Sequence, residues 1–177
     1  LAWLAASWAV SGLGCIVAVA ESAGQAAPLA SPANTQSLVE AARVRDADAV
    51  RAFLEAAVYD VNASQPDGAT ALAWASHWDD LEMAGALIRA GADVDAANDL
   101  GVTPLMLASA NGSAKMVGAL LRASAAPDLA RPSGETALML ASRSGSVAAV
   151  EQLVARGADV NAATAAGRTA IMWAAAE

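Results

Sequence analysis

The chain has 177 residues, of which 56% are apolar but only 4% aromatic, and its formal net charge is −8. Most of the apolar character comes from alanine, which favours close-packed helices over a core of large side chains. The acidic balance argues against nucleic-acid binding, because phosphate contacts draw on clustered Lys and Arg, and here ten basic residues are scattered among eighteen acidic ones. We therefore predict no nucleic-acid partner.

The first segment, residues 1–20, carries no charge and predicts a signal peptide. Ala18, Val19 and Ala20 precede Glu21 and match the small-residue pattern of a signal-peptide cleavage site. A retained membrane anchor is the alternative, because about 20 apolar residues suffice to cross a bilayer. The charged start of a signal peptide is missing and the chain does not begin with Met, so we expect the sequence to be a fragment at this end.

Cys15 is the single cysteine of the chain, so no intramolecular disulfide can form. Acylation of Cys15, as in a lipoprotein signal, is a weaker alternative than a small apolar residue inside a signal peptide. The residues before it are Gly12-Leu13-Gly14, with Gly where such signals usually carry Leu.

The rest of the chain is built on a repeat of 33 residues. GATALAWAS begins at Gly68, GVTPLMLAS at Gly101, GETALMLAS at Gly134 and GRTAIMWAA at Gly167. Self-similarity at a fixed period of this size is the signature of a stacked repeat protein. We predict a flexible linker over residues 21–33. The repeat domain then covers residues 34–177, with units 34–67, 68–100, 101–133 and 134–166 and a partial unit 167–177.

Each unit is predicted to be a helix, a tight turn, a second helix and a long loop. The threonine of each repeated string, such as Thr70, is expected to cap the first helix. Gly112 supplies the positive φ that the turn requires, and Asp79 takes the equivalent place in the second unit. The second helix carries an apolar stripe and is expected to end at Gly91 or Gly157.

At these strings the sequence resembles the ankyrin repeat family. TALA, TPLM, TALM and TAIM stand where that family has its TPLH helix start, and GADV at Gly91 matches its helix end. The resemblance covers residues ~34 to 177. It implies an all-α ankyrin-repeat solenoid of stacked helix-turn-helix pairs joined by β-turn loops.

The chain departs from the family in the fourth place of that string. Family members carry a histidine there, which ties neighbouring repeats together by hydrogen bonds. This chain has Ala73, Met106, Met139 and Met172 instead. We expect packing of methionine to replace the polar tie.

The two end units differ from the others. The first, from Ser37 to Ala63, has one extra residue near Val58, and its polar residues Glu40 and Arg43 are expected to cover the open end of the core. The chain stops at Glu177, inside the first helix of a fifth unit, so we expect a fragment at this end as well.

The sequence predicts no catalytic, metal or cofactor site and no small-molecule substrate. His77 is the only histidine, and the string HWDD could suggest a metal or acid–base site. An exposed turn whose acidic residues begin the next helix is the favoured interpretation. Asp93 and Asp95 recur as Asp159 and Asn161 at the repeat period, as structural turn residues do.

A protein partner is expected at the positions that vary between repeats, because the framework does not fix them. Turns and first helices line one side of the stack, which is the concave side in the family that this chain resembles. Trp78 is the favoured contact, since an exposed Trp beside charges is typical of a binding hot spot, and packing on the neighbouring turn at Asn111 is its alternative. The predicted partner-binding residues are Asp67, Ala69, His77, Trp78, Asp99, Leu100, Val102, Ala110, Asn111, Ser133, Glu135, Arg143, Ser144 and Arg168.

These patterns together predict a non-enzymatic protein-interaction module that is exported, periplasmic or secreted in a bacterium. A membrane-anchored scaffold is one alternative, with membrane contact only if residues 1–20 are retained. The accessory repeat region of an exported enzyme, whose catalytic domain lies outside this sequence, is the other.

Overall fold

The structure is a computed structural model that describes residues 37–56 and 59–175. The predicted signal peptide, the linker and the extra residue near Val58 lie outside the described residues. Within the described part the secondary structure is helical, apart from three isolated β-bridges in the loops. The helices are α1 (Leu38–Arg43), α2 (Ala47–Ala56), α3 (Ala71–His77), α4 (Leu81–Arg89), α5 (Pro104–Ala110), α6 (Ala114–Arg122), α7 (Ala137–Arg143), α8 (Val147–Ala155) and α9 (Ala170–Ala174).

The helices form antiparallel pairs that stack in chain order into two layers. The first helices of the units, α1, α3, α5, α7 and α9, pack side by side in one layer. The second helices, α2, α4, α6 and α8, pack in the other. The all-α stacked fold predicted from the repeat is therefore confirmed. No helix among the described residues is both long enough and apolar enough to cross a bilayer.

The core is continuous from unit to unit and rests on positions that repeat. Ala75, Ala108 and Ala141 are fully buried in the first-helix layer, where small side chains let neighbouring helices approach closely. Met106 and Met139 are also buried. The place where the family has its histidine is thus filled in these two units by packed methionine, as expected from the sequence, whereas Met172 in the fifth unit is exposed.

The predicted threonine caps are present in the second, third and fourth units, whereas Thr169 makes no side-chain hydrogen bond that caps α9. The hydroxyl of Thr70 accepts a hydrogen bond from the backbone N–H of Ala73 at 3.3 Å, and Thr103 and Thr136 cap α5 and α7 in the same way. In the turn between the two helices of the second unit, Asp79 has φ 56°, close to the 68° of Gly112 in the third unit. Asp79 therefore adopts the left-handed conformation that the sequence assigned to it.

Candidate protein-binding face

The first helices and the loops between units form one exposed surface, which we call the first-helix face. The indole N–H of Trp74 in α3 donates to Oε1 of Gln65 in the preceding loop at 3.2 Å. The Gln65 amide in turn donates to Glu40 in α1 at 3.4 Å. These bonds hold the loop against the first helices of two units.

One row of side chains on this face recurs at the repeat period. His77, Ala110 and Arg143 end α3, α5 and α7, and all three are exposed. Among the described residues, none of these three side chains makes a hydrogen bond to another unit. Their side chains lie outside the core and make none of the hydrogen bonds between repeats, although Arg143 contacts the ring of Trp173 in the fifth unit.

Most of the predicted partner-binding residues are exposed on this structure, but three are not fully so. Val102 and Glu135 are half-buried, and Ala69 is buried, with 8% of its surface exposed. Ala69 is drawn inward because its carbonyl accepts from the backbone N–H of Gln65 at 2.9 Å and its own N–H donates to Asp67 at 3.1 Å. Ala69 therefore offers a partner almost no side-chain surface.

Three of the predicted residues hold neighbouring repeats together, and we call them the inter-repeat donors. They occupy equivalent turn positions, and each donates from its side chain to a backbone carbonyl of the unit before it. The bonds are Trp78 Nε1 to Arg43 O at 3.1 Å, Asn111 Nδ2 to His77 O at 2.8 Å, and Ser144 Oγ to Ser109 O at 3.0 Å.

The inter-repeat donors were predicted as partner contacts because their residue types vary. The structure shows that an indole, an amide and a hydroxyl perform the same structural task at this position. The hydrogen bond of Trp78 also goes to the preceding unit, whereas the sequence had suggested packing on the following turn at Asn111. Sequence reasoning missed this role because the signal for it is a shared position and not a shared residue type.

Trp78 is also part of an aromatic cluster at the first two units. Its ring lies 6.3 Å from Trp74 and 4.7 Å from His77, measured between ring centroids. The guanidinium of Arg45 lies 5.7 Å from the centroid of the Trp78 ring, within range of a cation–π contact. Because Trp78 is still 40% exposed, the cluster presents a fixed apolar surface beside a cation.

A second set of ties, which we call the loop acceptors, joins the loops of successive units. Asp95, for example, accepts from the backbone N–H of Ala126 at 2.9 Å, and Asp93 accepts from the backbone N–H of Asp95. The structural interpretation of these aspartates is thus supported by their hydrogen bonds. Among the described residues, no group of three or more His, Cys, Asp or Glu side chains could hold a metal ion. The full set of loop acceptors is Asn62, Asp95 and Asp128, which bind the N–H groups of Asp93, Ala126 and Asp159.

Two ion pairs lie on the first-helix face. Arg43 donates from Nε to Glu40 at 2.8 Å, and these hydrogen bonds lower the pKa of Glu40 and raise the pKa of Arg43 from their usual values. Arg131 donates to Glu135 at 2.6 Å. Glu40 and Arg43 thus neutralise each other at the first unit.

The paired helices, the turn loops and the shared core together define an α-helical repeat solenoid. A family model described as ankyrin repeats (3 copies) matches residues 38–130 and 105–177, which together span most of the chain. The chain belongs to the ankyrin repeat family. Ankyrin repeats are generally protein–protein interaction modules and are typically non-catalytic. Comparison with curated proteins gave no match.

Proposed function

We propose that this chain is an exported, non-enzymatic module that binds a partner protein on its first-helix face, the concave side in the ankyrin family. The observation that carries the proposal is the exposed row of His77, Ala110 and Arg143. These side chains occupy equivalent positions in successive units, yet they differ in size and charge. A surface of this kind can select a partner without disturbing the stack.

The aromatic cluster beside this row supports a protein partner. Trp78 is held by its hydrogen bond to Arg43 and by the guanidinium of Arg45, so little side-chain freedom is lost when a partner covers it. Rigid aromatic residues of this type are common at the energetic centres of protein interfaces. His77, whose ring contacts Trp78, belongs both to this cluster and to the exposed row.

A photo-crosslinking experiment tests the location of this surface. A photoreactive amino acid is placed either at Ala110, at the end of α5, or at Lys115, which is exposed in α6 of the second-helix layer. After irradiation in the native host, the Ala110 position should give a discrete covalent adduct with another protein. The Lys115 position serves as the matched control and should give much less of it.

Equal labelling from both positions, or labelling from Lys115 alone, would contradict the proposed face. Competition provides a second check. A variant with Ala110→Arg on the same face should displace less of the adduct than the unmodified protein does, because the added side chain obstructs the row. Lys115→Ala should compete as well as the unmodified protein.

Export is proposed from residues 1–20 and is tested separately. Mass spectrometry of the protein recovered outside the cytoplasm should give Glu21 as the first residue, because Ala18, Val19 and Ala20 match a cleavage site. Recovery only from the membrane fraction, with residues 1–20 still attached, would favour an anchored scaffold. Recovery only from the cytoplasm would contradict both.

A further inference from the structure

The second and fifth units share a tryptophan but differ in how its indole is satisfied. Trp74 and Trp173 occupy equivalent positions, and Trp74 donates to Gln65 at 3.2 Å. The indole N–H of Trp173 is buried and has no acceptor in the described part of the chain. Thr164 stands where Gln65 does, and its hydroxyl accepts from the backbone N–H of Arg168 instead.

A buried donor without an acceptor is uncommon, because it loses its bond to water and gains nothing in return. In this chain the equivalent indole shows what a satisfied site looks like. Within the described residues, the surroundings of Trp173 are therefore short of one hydrogen-bond acceptor. This shortage lies in the fifth unit, beside the first-helix face.

An unneutralised cation lies against the same tryptophan. The guanidinium of Arg143 is 4.9 Å from the centroid of the Trp173 ring. A cation–π contact uses the flat side of a guanidinium and leaves the N–H groups at its edge available. Arg143 is exposed and makes no ion pair within the described residues.

The loop beside it adds a second unneutralised cation. In the loop that precedes α7, Arg131 and Glu135 form an ion pair. In the loop that precedes α9, Thr164 and Arg168 occupy those two positions, so the pair is lost and one positive charge is left. Arg168 is exposed and, like Arg143, has no ion pair among the described residues.

The loops of the earlier units have the opposite charge. Asp67 and Asp99 are exposed on the loops that precede α3 and α5. The loops on this face thus change from acidic before α3 and α5 to basic before α9. A bound segment would be oriented by this change, since charge complementarity fixes register more than it raises affinity.

We infer that the partner presents an acidic segment, and that one of its carboxylates binds the edge of the Arg143 guanidinium above Trp173. A carboxylate accepts two parallel bonds from a guanidinium edge, which makes arginine well suited to this task. The contact with Trp173 orients the Arg143 guanidinium before the partner binds. This inference rests on the proposed function, because it names the chemistry of the partner on that same face.

A peptide-binding assay distinguishes binding at the local arginine site from attraction by the overall negative charge of the protein. The probe is a fluorescent peptide of repeated Glu-Leu-Gly triplets, compared by anisotropy with peptides that carry Gln or Lys in place of Glu. The net charge of −8 favours the Lys peptide, whereas the local site favours the Glu peptide. We expect the Glu peptide to bind most tightly. Stronger binding of the Lys peptide, or no binding of the Glu peptide, overturns the inference.

Two arginine variants localise the binding. Arg143→Gln should weaken binding of the Glu peptide about tenfold, as expected for loss of a charge-assisted hydrogen bond, and should leave binding of the Gln peptide unchanged. Arg122→Gln removes the same charge from α6 in the second-helix layer and is the matched control. An equal loss in both variants would show a general charge effect and overturn the site.

The inference and the proposed function can fail independently. If Ala110 crosslinks to a partner but Arg143→Gln changes neither that adduct nor peptide binding, the face is correct and the acidic-segment inference is wrong. If Ala110 gives no adduct and the Glu peptide still depends on Arg143, the anion site exists but the proposed partner face does not.

Discussion

Two regions of the molecule tie neighbouring repeats together, and they use side chains of different kinds. In the loops, Asp95 and its counterparts accept hydrogen bonds from the backbone of the next unit, and all of the loop acceptors are Asp or Asn. In the turns, Trp78 and its counterparts donate to the backbone of the preceding unit, and no two inter-repeat donors are alike. The loop acceptors are thus uniform in residue type, whereas the inter-repeat donors are not.

The difference follows from what each bond requires. A backbone N–H at a fixed distance is best met by a short side chain with an oxygen acceptor, and at this loop position the chain uses the carboxylate of Asp or the amide oxygen of Asn. To donate to an exposed carbonyl, a hydroxyl, an amide or an indole will serve, provided that the turn leaves room for it. A position that varies between repeats is therefore not always free to bind a partner.

Among the inter-repeat donors, replacement of Trp78 should destabilise the protein most. Trp78 buries somewhat more than half of its surface, and Trp78→Ala removes that contact together with the hydrogen bond to the carbonyl of Arg43. We therefore expect the free energy of unfolding to fall by about 3 kcal/mol. Urea unfolding followed by far-UV circular dichroism measures this loss. The slope of the transition must also be compared, because a repeat stack can lose cooperativity between units.

Trp78→Phe is the matched control for this experiment. It keeps most of the ring surface and removes the N–H donor, so the loss should be about 1 kcal/mol. If Trp78→Ala and Trp78→Phe both unfold like the unmodified protein, Trp78 does not tie the first two units together. It would then return to being a candidate for partner contact alone.

Replacing Asp95 tests the contribution of the loop acceptors to stability. Asp95→Ala leaves the backbone N–H of Ala126 without its acceptor, and we expect a loss of about 2 kcal/mol in unfolding free energy. Asp95→Asn should retain most of the stability, since the chain itself uses Asn62 at the equivalent position. Equal destabilisation by the two variants would mean that charge, and not the shared oxygen acceptor, is what this position supplies.

The fold was predictable from the sequence because its determinants recur. Thr70, Thr103 and Thr136 cap helices within their own unit, and Ala75, Ala108 and Ala141 are buried at the same place in three successive units. A local bond that recurs leaves a visible period in the sequence.

The candidate site was less predictable because its contacts cross between units. The residue types Trp, Asn and Ser do not indicate that all three side chains donate to a backbone carbonyl of the preceding unit. The contact of Arg143 with Trp173 depends on how two helices are placed side by side. The burial of Ala69 likewise depends on the path of its loop and not on its residue type. Such contacts arise from packing, which a single sequence does not display.

The smallest loss of stability is expected when Asn111 is replaced. The residue that the next unit carries at this position provides the control variant. Asn111→Ala removes the hydrogen bonds to the carbonyls of Ser76 and His77, and we expect a loss of about 1 kcal/mol in unfolding free energy. Asn111→Ser introduces the residue that the next unit carries as Ser144, which can still donate. It should recover at least half of that loss in the same urea titration. If serine is no better than alanine at this position, the inter-repeat donors are not interchangeable, and their variation has to be explained by something other than a shared bond.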